Sequence, residues 1–157
     1  MKPLITSYRY GTVRRPNEGL RIGAARHVPR GIRREDWQCR NYFDLWLPQL
    51  APTPDLVSQY RHDKIGFAVF SRHYKTQMKA AESRQVIELL AAIALFQPIS
   101  VGCFCEDESR CHRSLLQQLI FKEAKRKAIG FSSLLENSSS RDSVRFASPV
   151  CFARNQE

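Results

Sequence analysis

Four side chains able to bind a metal or react through sulfur or imidazole fall within ten residues: Cys103, Cys105, Cys111 and His112. Arg110 and Arg113 flank the last two. Leu115, Leu116, Leu119 and Ile120 recur at helical spacing after Cys111, which predicts a helix beginning at that cysteine. A thiol at a helix N-terminus beside cations is drawn toward thiolate. A thiolate next to free backbone N–H groups has the parts of a nucleophilic site. In this reading Cys111 is the nucleophile or redox thiol, with Cys103 near it. His112 moves a proton, and Arg113 orients an anion. Glu106, Asp107 and Glu108 either oppose the thiolate or supply a general acid or base. The phosphatase spacing Cys-x5-Arg is absent, because the sixth residue after Cys105 is Cys111.

Two other readings compete. Three thiols and an imidazole suit a closed tetrahedral zinc site by type. The spacing Cys-x-Cys-x5-Cys-His lacks the gaps of ordinary zinc knuckles, and the side chains of adjacent Cys111 and His112 are expected to point apart. No metal and no cofactor is therefore assigned. In the plainest reading, free cysteines pack as small apolar groups. This suits Cys103, which ends the apolar run Ile99-Ser100-Val101-Gly102-Cys103-Phe104. It suits Cys111-His112-Arg113 less, since charged neighbours do not belong in an apolar core.

The elements that position this cluster are a strand over Ile99–Phe104, an acidic loop and a helix from Cys111. That order places the cluster beyond the carboxyl end of a buried strand, where ligands bind in open α/β sheets. Pro98 closes a preceding helix with Val86, Ile87, Leu89, Leu90, Ile93 and Ala94 on one face, and Ser83 is its expected cap. A helix feeding a buried strand predicts parallel pairing. Leu4–Tyr8 and Leu20–Ala25 read as two earlier strands. The second leads into a loop carrying Arg26 and Arg30. Tyr42, Phe43, Leu45, Trp46 and Leu47 are read as core or lid packing, with a base-stacking platform as the alternative. Thr53-Pro54 starts a short helix with Thr53 as N-cap. Ile65–Lys79 reads as a further helix on the spacing of Phe67, Phe70, Tyr74 and Met78.

The chain has 157 residues and a net charge of +10, a length that suits one domain with a real core. No apolar run approaches the roughly 20 residues of a membrane span, and no signal-peptide core opens the chain. The expected location is the cytoplasm, without membrane association. Five cysteines is an odd number, so thiols or metal ligands are favoured over a disulfide framework. Residues 1–40 carry ten basic and three acidic side chains, and residues 110–127 carry six and one. Where two such segments meet they attract phosphates, nucleotides or nucleic acid.

On these residues the chain resembles the family called domain of unknown function 488, the YeaO-like proteins. The resemblance spans residues 3–125. It rests on Ile5-Thr6-Ser7, Gly19-Leu20-Arg21-Ile22 through Pro29-Arg30-Gly31, Trp46-Leu47-Pro48 through Ala51-Pro52, Phe70 to Met78, and Cys103 with Cys111-His112-Arg113. Members of that family commonly carry Glu where Cys105 stands here. The resemblance implies a compact α/β domain with the motif at one pole and does not specify an activity.

The sequence therefore predicts one α/β domain over residues 1–130 with a central, mostly parallel sheet flanked by helices. Residues 131–157 are expected to form a serine-rich connector and tail. Cys111, His112, Arg113 and Cys103 form the expected site, with Arg21, Arg26 and Arg30 holding an anionic small molecule or nucleotide. An enzyme is favoured. A non-catalytic nucleic-acid-binding module on the basic N-terminal third and a metal-stapled structural domain are the alternatives.

Overall fold

The β-branched and aromatic run near the N-terminus forms strand β1 (Ile5–Arg9), and Leu20–Gly23 forms β2. A two-residue strand, β3 (Leu45–Trp46), follows within the aromatic stretch. Three helices come next: α1 (Pro54–Arg61), α2 (Phe67–Gln77) and α3 (Ala81–Ile93). Strand β4 (Ile99–Cys103) then leads into α4 (His112–Ser138). These come from a computed structural model that describes residues 2–138, of which 131–138 are described by their backbone alone.

The sheet has the order β1-β4-β2-β3, and every pairing in it is parallel. β4 is buried along its whole length, as its unbroken apolar run requires of a central parallel strand. The two-residue period divides the side chains between the faces. Ile5, Ile22, Ala24, Ile99 and Val101 pack with residues of all four helices, among them Leu56, Phe70, Tyr74, Leu90, Leu116 and Ile120. Tyr8 belongs to a second cluster with Tyr10, Ala25 and Phe43, bordered by Trp37, Tyr42 and Trp46. The aromatic stretch is thus core packing. Gly23 and Gly102 admit this aromatic layer, because a Cβ at Gly23 would lie 2.6 Å from Phe43 Cδ1 and one at Gly102 2.6 Å from Tyr10 Cε1.

Helix starts follow local chemistry with one exception. Thr53 Oγ1 accepts from Leu56 N at 3.4 Å, and Pro54 occupies the first helical position, as the sequence predicts. Ser83 is not a cap. It sits inside α3, where its hydroxyl donates to the Gln49 carbonyl at 2.9 Å. The helical backbone of α4 also continues through residues 131–138, where the sequence reading placed the start of a loose connector. The rest of the expected connector and tail, residues 139–157, lies outside the described residues. Among the described residues no helix is long and apolar enough to cross a membrane.

Candidate functional site

β4 delivers Cys103 to its carboxyl end, and α4 begins at His112, which places Cys111 immediately before the helix. Cys111 caps that helix through sulfur: its Sγ accepts from Arg113 N at 3.5 Å, and its carbonyl accepts from Ser114 N and Ser114 Oγ. Standing outside the helix, Cys111 turns its sulfur toward the imidazole of the next residue. Cys111 Sγ lies 3.8 Å from His112 Nδ1, and Cys103 Sγ lies 3.9 Å from the same nitrogen. The two adjacent side chains therefore converge, contrary to the expectation that they point apart. Cys105 Sγ stands 3.6 Å from Cys103 Sγ.

The imidazole is fixed from behind. His112 Nε2 lies 2.9 Å from the Ala24 carbonyl oxygen, which can only accept, so Nε2 carries the hydrogen and Nδ1 presents a lone pair to the sulfurs. Burial pushes the His112 pKa below its ordinary value, partly offset by that hydrogen bond, and the ring is neutral near pH 7. The ring also stands edge-on to Tyr74 at 5.6 Å.

The three sulfurs differ in burial and charge. Cys103 and Cys111 are buried and Cys105 is exposed. Hydrogen bonds from Cys103 and Cys111 to the Cys105 sulfur, with the Arg113 cation nearby, pull the Cys105 thiol down to about 2. Donating to Cys105 pushes Cys103 up to about 11. The other two sulfurs, together with burial, push Cys111 up as well. These shifts draw negative charge toward Cys105, the sulfur that solvent reaches, and away from Cys111.

Arg113 is only 3 % exposed. Its guanidinium donates to the carbonyl oxygens of Cys105 and Glu106, its Nε has no hydrogen-bond partner, and no carboxylate pairs with it among the described residues. A buried cation without a carboxylate needs negative charge close by, and the sulfur cluster is the group placed to supply it. Arg113 holds the loop after β4 and does not line the cavity described next.

That cavity, about 840 Å³, opens over the cluster. Cys103, Cys105, Cys111 and His112 lie among its lining residues, with Arg26, Arg30, Arg61 and Arg110, the histidines 27 and 62, and the aromatic rings of Tyr60, Phe70 and Phe104. No acidic side chain lines it. Arg26 is anchored by the Pro52 and Ala51 carbonyls at 3.1 and 3.3 Å, and Arg110 Nε donates to Tyr60 Oη at 3.2 Å. Arg30 and Arg61 are exposed and form no salt bridge among the described residues.

The structure does not bring Arg21 to this cavity. Its neighbours Ile22 and Val101 face the helices, so the strand period turns Arg21 to the opposite face. There its guanidinium lies 4.2 Å from the Tyr8 ring centroid, pairs with Glu18 at 2.7 Å and donates to the Thr12 and Asn41 carbonyls. The loop acids are also drawn aside: Glu106 pairs with Arg9 at 2.9 Å, Glu108 accepts from the Ser7 hydroxyl, and Asp107 accepts from Ser109 N and Oγ. The sequence places Cys105 and Arg110 in the motif without giving either a binding role, and it does not point to Arg61 at all. Arg61 reaches the cavity only through the docking of α1.

A family model described as the active DUF488-N3 subclade, DUF488-N3a, matches residues 5–124. Uncharacterized proteins of Mycobacterium bovis and of two strains of Mycobacterium tuberculosis are each 24 % identical over 105 residues. Those alignments cover 67 % of this chain and 83 % of each relative. No solved structure gives a significant match.

Proposed function

The chain belongs to the DUF488 family, in its subclade DUF488-N3a, and from that premise we propose that it is a thiol-dependent enzyme acting on a phosphate-bearing ligand, a nucleotide in the first instance. The observation that carries this reading is the lining of one cavity: four arginines and three histidines, no carboxylate, and a sulfur cluster at the same wall. Arginine forks match phosphate oxygens in pairs, and a cavity of one sign concentrates ions of the other. Tyr60 and the 46 % exposed Phe104 offer ring faces for a planar base. Cys105, exposed beside Phe104, is the sulfur such a ligand meets. Arg26, Arg30, Arg61 and Arg110 orient the anion, and His112 and Arg113 hold the sulfur cluster in place. The family model's own description, an active subclade, accords with a working centre.

A nucleic-acid-binding module on the N-terminal third draws less support. Arg9, Arg14, Arg15 and Arg21 pair with Glu106, Asp44 and Glu18, which leaves fewer free cations there than the arginine count implies.

Calorimetric titration of ADP and of inorganic phosphate into the purified chain tests the reading. We expect both to bind, ADP more tightly, with affinity falling as salt rises. The double variant Arg30→Ala/Arg61→Ala is expected to weaken ADP binding by about a hundredfold, given charge-assisted contacts of about 1.5 kcal/mol each. Absence of ADP binding, or binding unchanged in the double variant, overturns it.

A further inference from the structure

We propose that Cys103, Cys111 and His112 form a zinc site, closed from the cavity side by Cys105. Three donors of the types zinc takes converge here, and a fourth, Cys105, stands beside one of them. The sulfurs of Cys103 and Cys111 and a ring nitrogen of His112 all lie within 4.8 Å of one another. A tetrahedral zinc with bonds of about 2.3 Å to sulfur and about 2.0 Å to nitrogen sets its sulfurs roughly 3.8 Å apart and sulfur from nitrogen roughly 3.5 Å. The observed separations are 3.6 Å between Cys103 and Cys105, 3.9 Å from Cys103 to His112 and 3.8 Å from Cys111 to His112. Three of the six donor pairs thus stand within a few tenths of an ångström of the spacing a tetrahedral ion sets, and Cys105 joins the group through Cys103.

The surroundings suit a metal better than a plain thiol cluster. The His112 hydrogen is held by the Ala24 carbonyl, the outer hydrogen bond that orients a ligating imidazole and raises its basicity. Three thiolates, a neutral imidazole and Zn2+ carry a net charge of −1, and Arg113 is a buried cation with no carboxylate of its own. The Arg113 N–H on Cys111 Sγ at 3.5 Å adds a donor to a ligating sulfur. Three of the four ligands are buried and Cys105 is exposed, so the Cys105 bond is the one a molecule in the cavity can reach. The proposal does not depend on the anion reading, because none of its ligands is an arginine.

The test is metal analysis of the full chain, purified without chelator and without a metal-binding tag, followed by exchange with cobalt. We expect one zinc per chain. The cobalt form should show the intense visible bands of a tetrahedral site and a thiolate-to-metal charge-transfer band. In Cys105→Ser, a change at an exposed position that leaves the fold intact, that band should fall by about one third, from three Co–S bonds to two. His112→Gln should lose the metal on dialysis, while Cys39→Ser and Arg30→Ala/Arg61→Ala should keep it. Metal-free wild-type protein that takes up cobalt only weakly and octahedrally overturns the site. A charge-transfer band unchanged in Cys105→Ser overturns the closing role of Cys105. Either failure leaves ADP binding as a separate question, answered by the arginine variant alone.

Discussion

His112 donates its Nε2 hydrogen to the carbonyl oxygen of Ala24 across 2.9 Å, and this bond between the start of α4 and the end of β2 aims Nδ1 at the sulfurs of Cys103 and Cys111. Replacing the ring with a methyl group leaves a buried carbonyl without a donor and a void against Tyr74. His112→Ala is therefore expected to cost on the order of 3 kcal/mol, which lowers the melting temperature by about 6–12 °C for a domain of this size. Urea unfolding in the presence of chelator measures this apart from any metal. A loss under 1 kcal/mol would show that the ring does not brace the sheet.

The pair Glu18–Arg21 sits almost fully buried on the far face of the sheet. Burial alone would raise the Glu18 carboxyl pKa, but hydrogen bonds and charge from Arg21 and Arg15 outweigh it and hold the group below its ordinary 4.5. A carboxyl depressed in the folded state stabilises above its unfolded pKa, and that stability is lost as pH falls through the folded value. Unfolding free energy should thus decline on acidification from about pH 5 downward. In Glu18→Gln the decline should be shallower and the protein less stable near pH 7 by about 3 kcal/mol, since Arg21 loses its buried counter-charge. Parallel pH profiles of the two proteins would contradict this role.

Gly102 precedes Cys103 on β4 and faces the aromatic layer. An added methyl would stand 2.6 Å from a Tyr10 ring carbon, so Gly102→Ala should destabilise by about 1–3 kcal/mol. Gly66, where an added Cβ meets nothing within 4 Å, provides the control: Gly66→Ala should change little. Thermal melts of the two variants decide it.

Much of the sheet was legible because a buried parallel strand has a strong signal. The apolar run at Ile99 and the helix before it were enough to expect parallel pairing around β4. β3 was not legible, since two residues are too few for a period-two pattern. Arg21 was misplaced because composition counts a charge without its strand parity. Cys111 and His112 were expected to diverge on the rule of about 100° per helical residue, which fails because Cys111 stands outside the helix as its cap. Arg61 enters the cavity only through tertiary docking, and nothing local in the sequence announces that.

If the arginine-lined cavity and the Cys105 sulfur make one site, a nucleotide bound there covers that sulfur. The most direct measurement is iodoacetamide labelling of the purified chain, mapped cysteine by cysteine by mass spectrometry, with and without saturating ADP. ADP is then expected to slow labelling of Cys105 several-fold while labelling of the exposed Cys39, which lies outside the cavity lining, stays unchanged. Cys105 labelling that is the same with and without ADP, under conditions where ADP is bound, would contradict it.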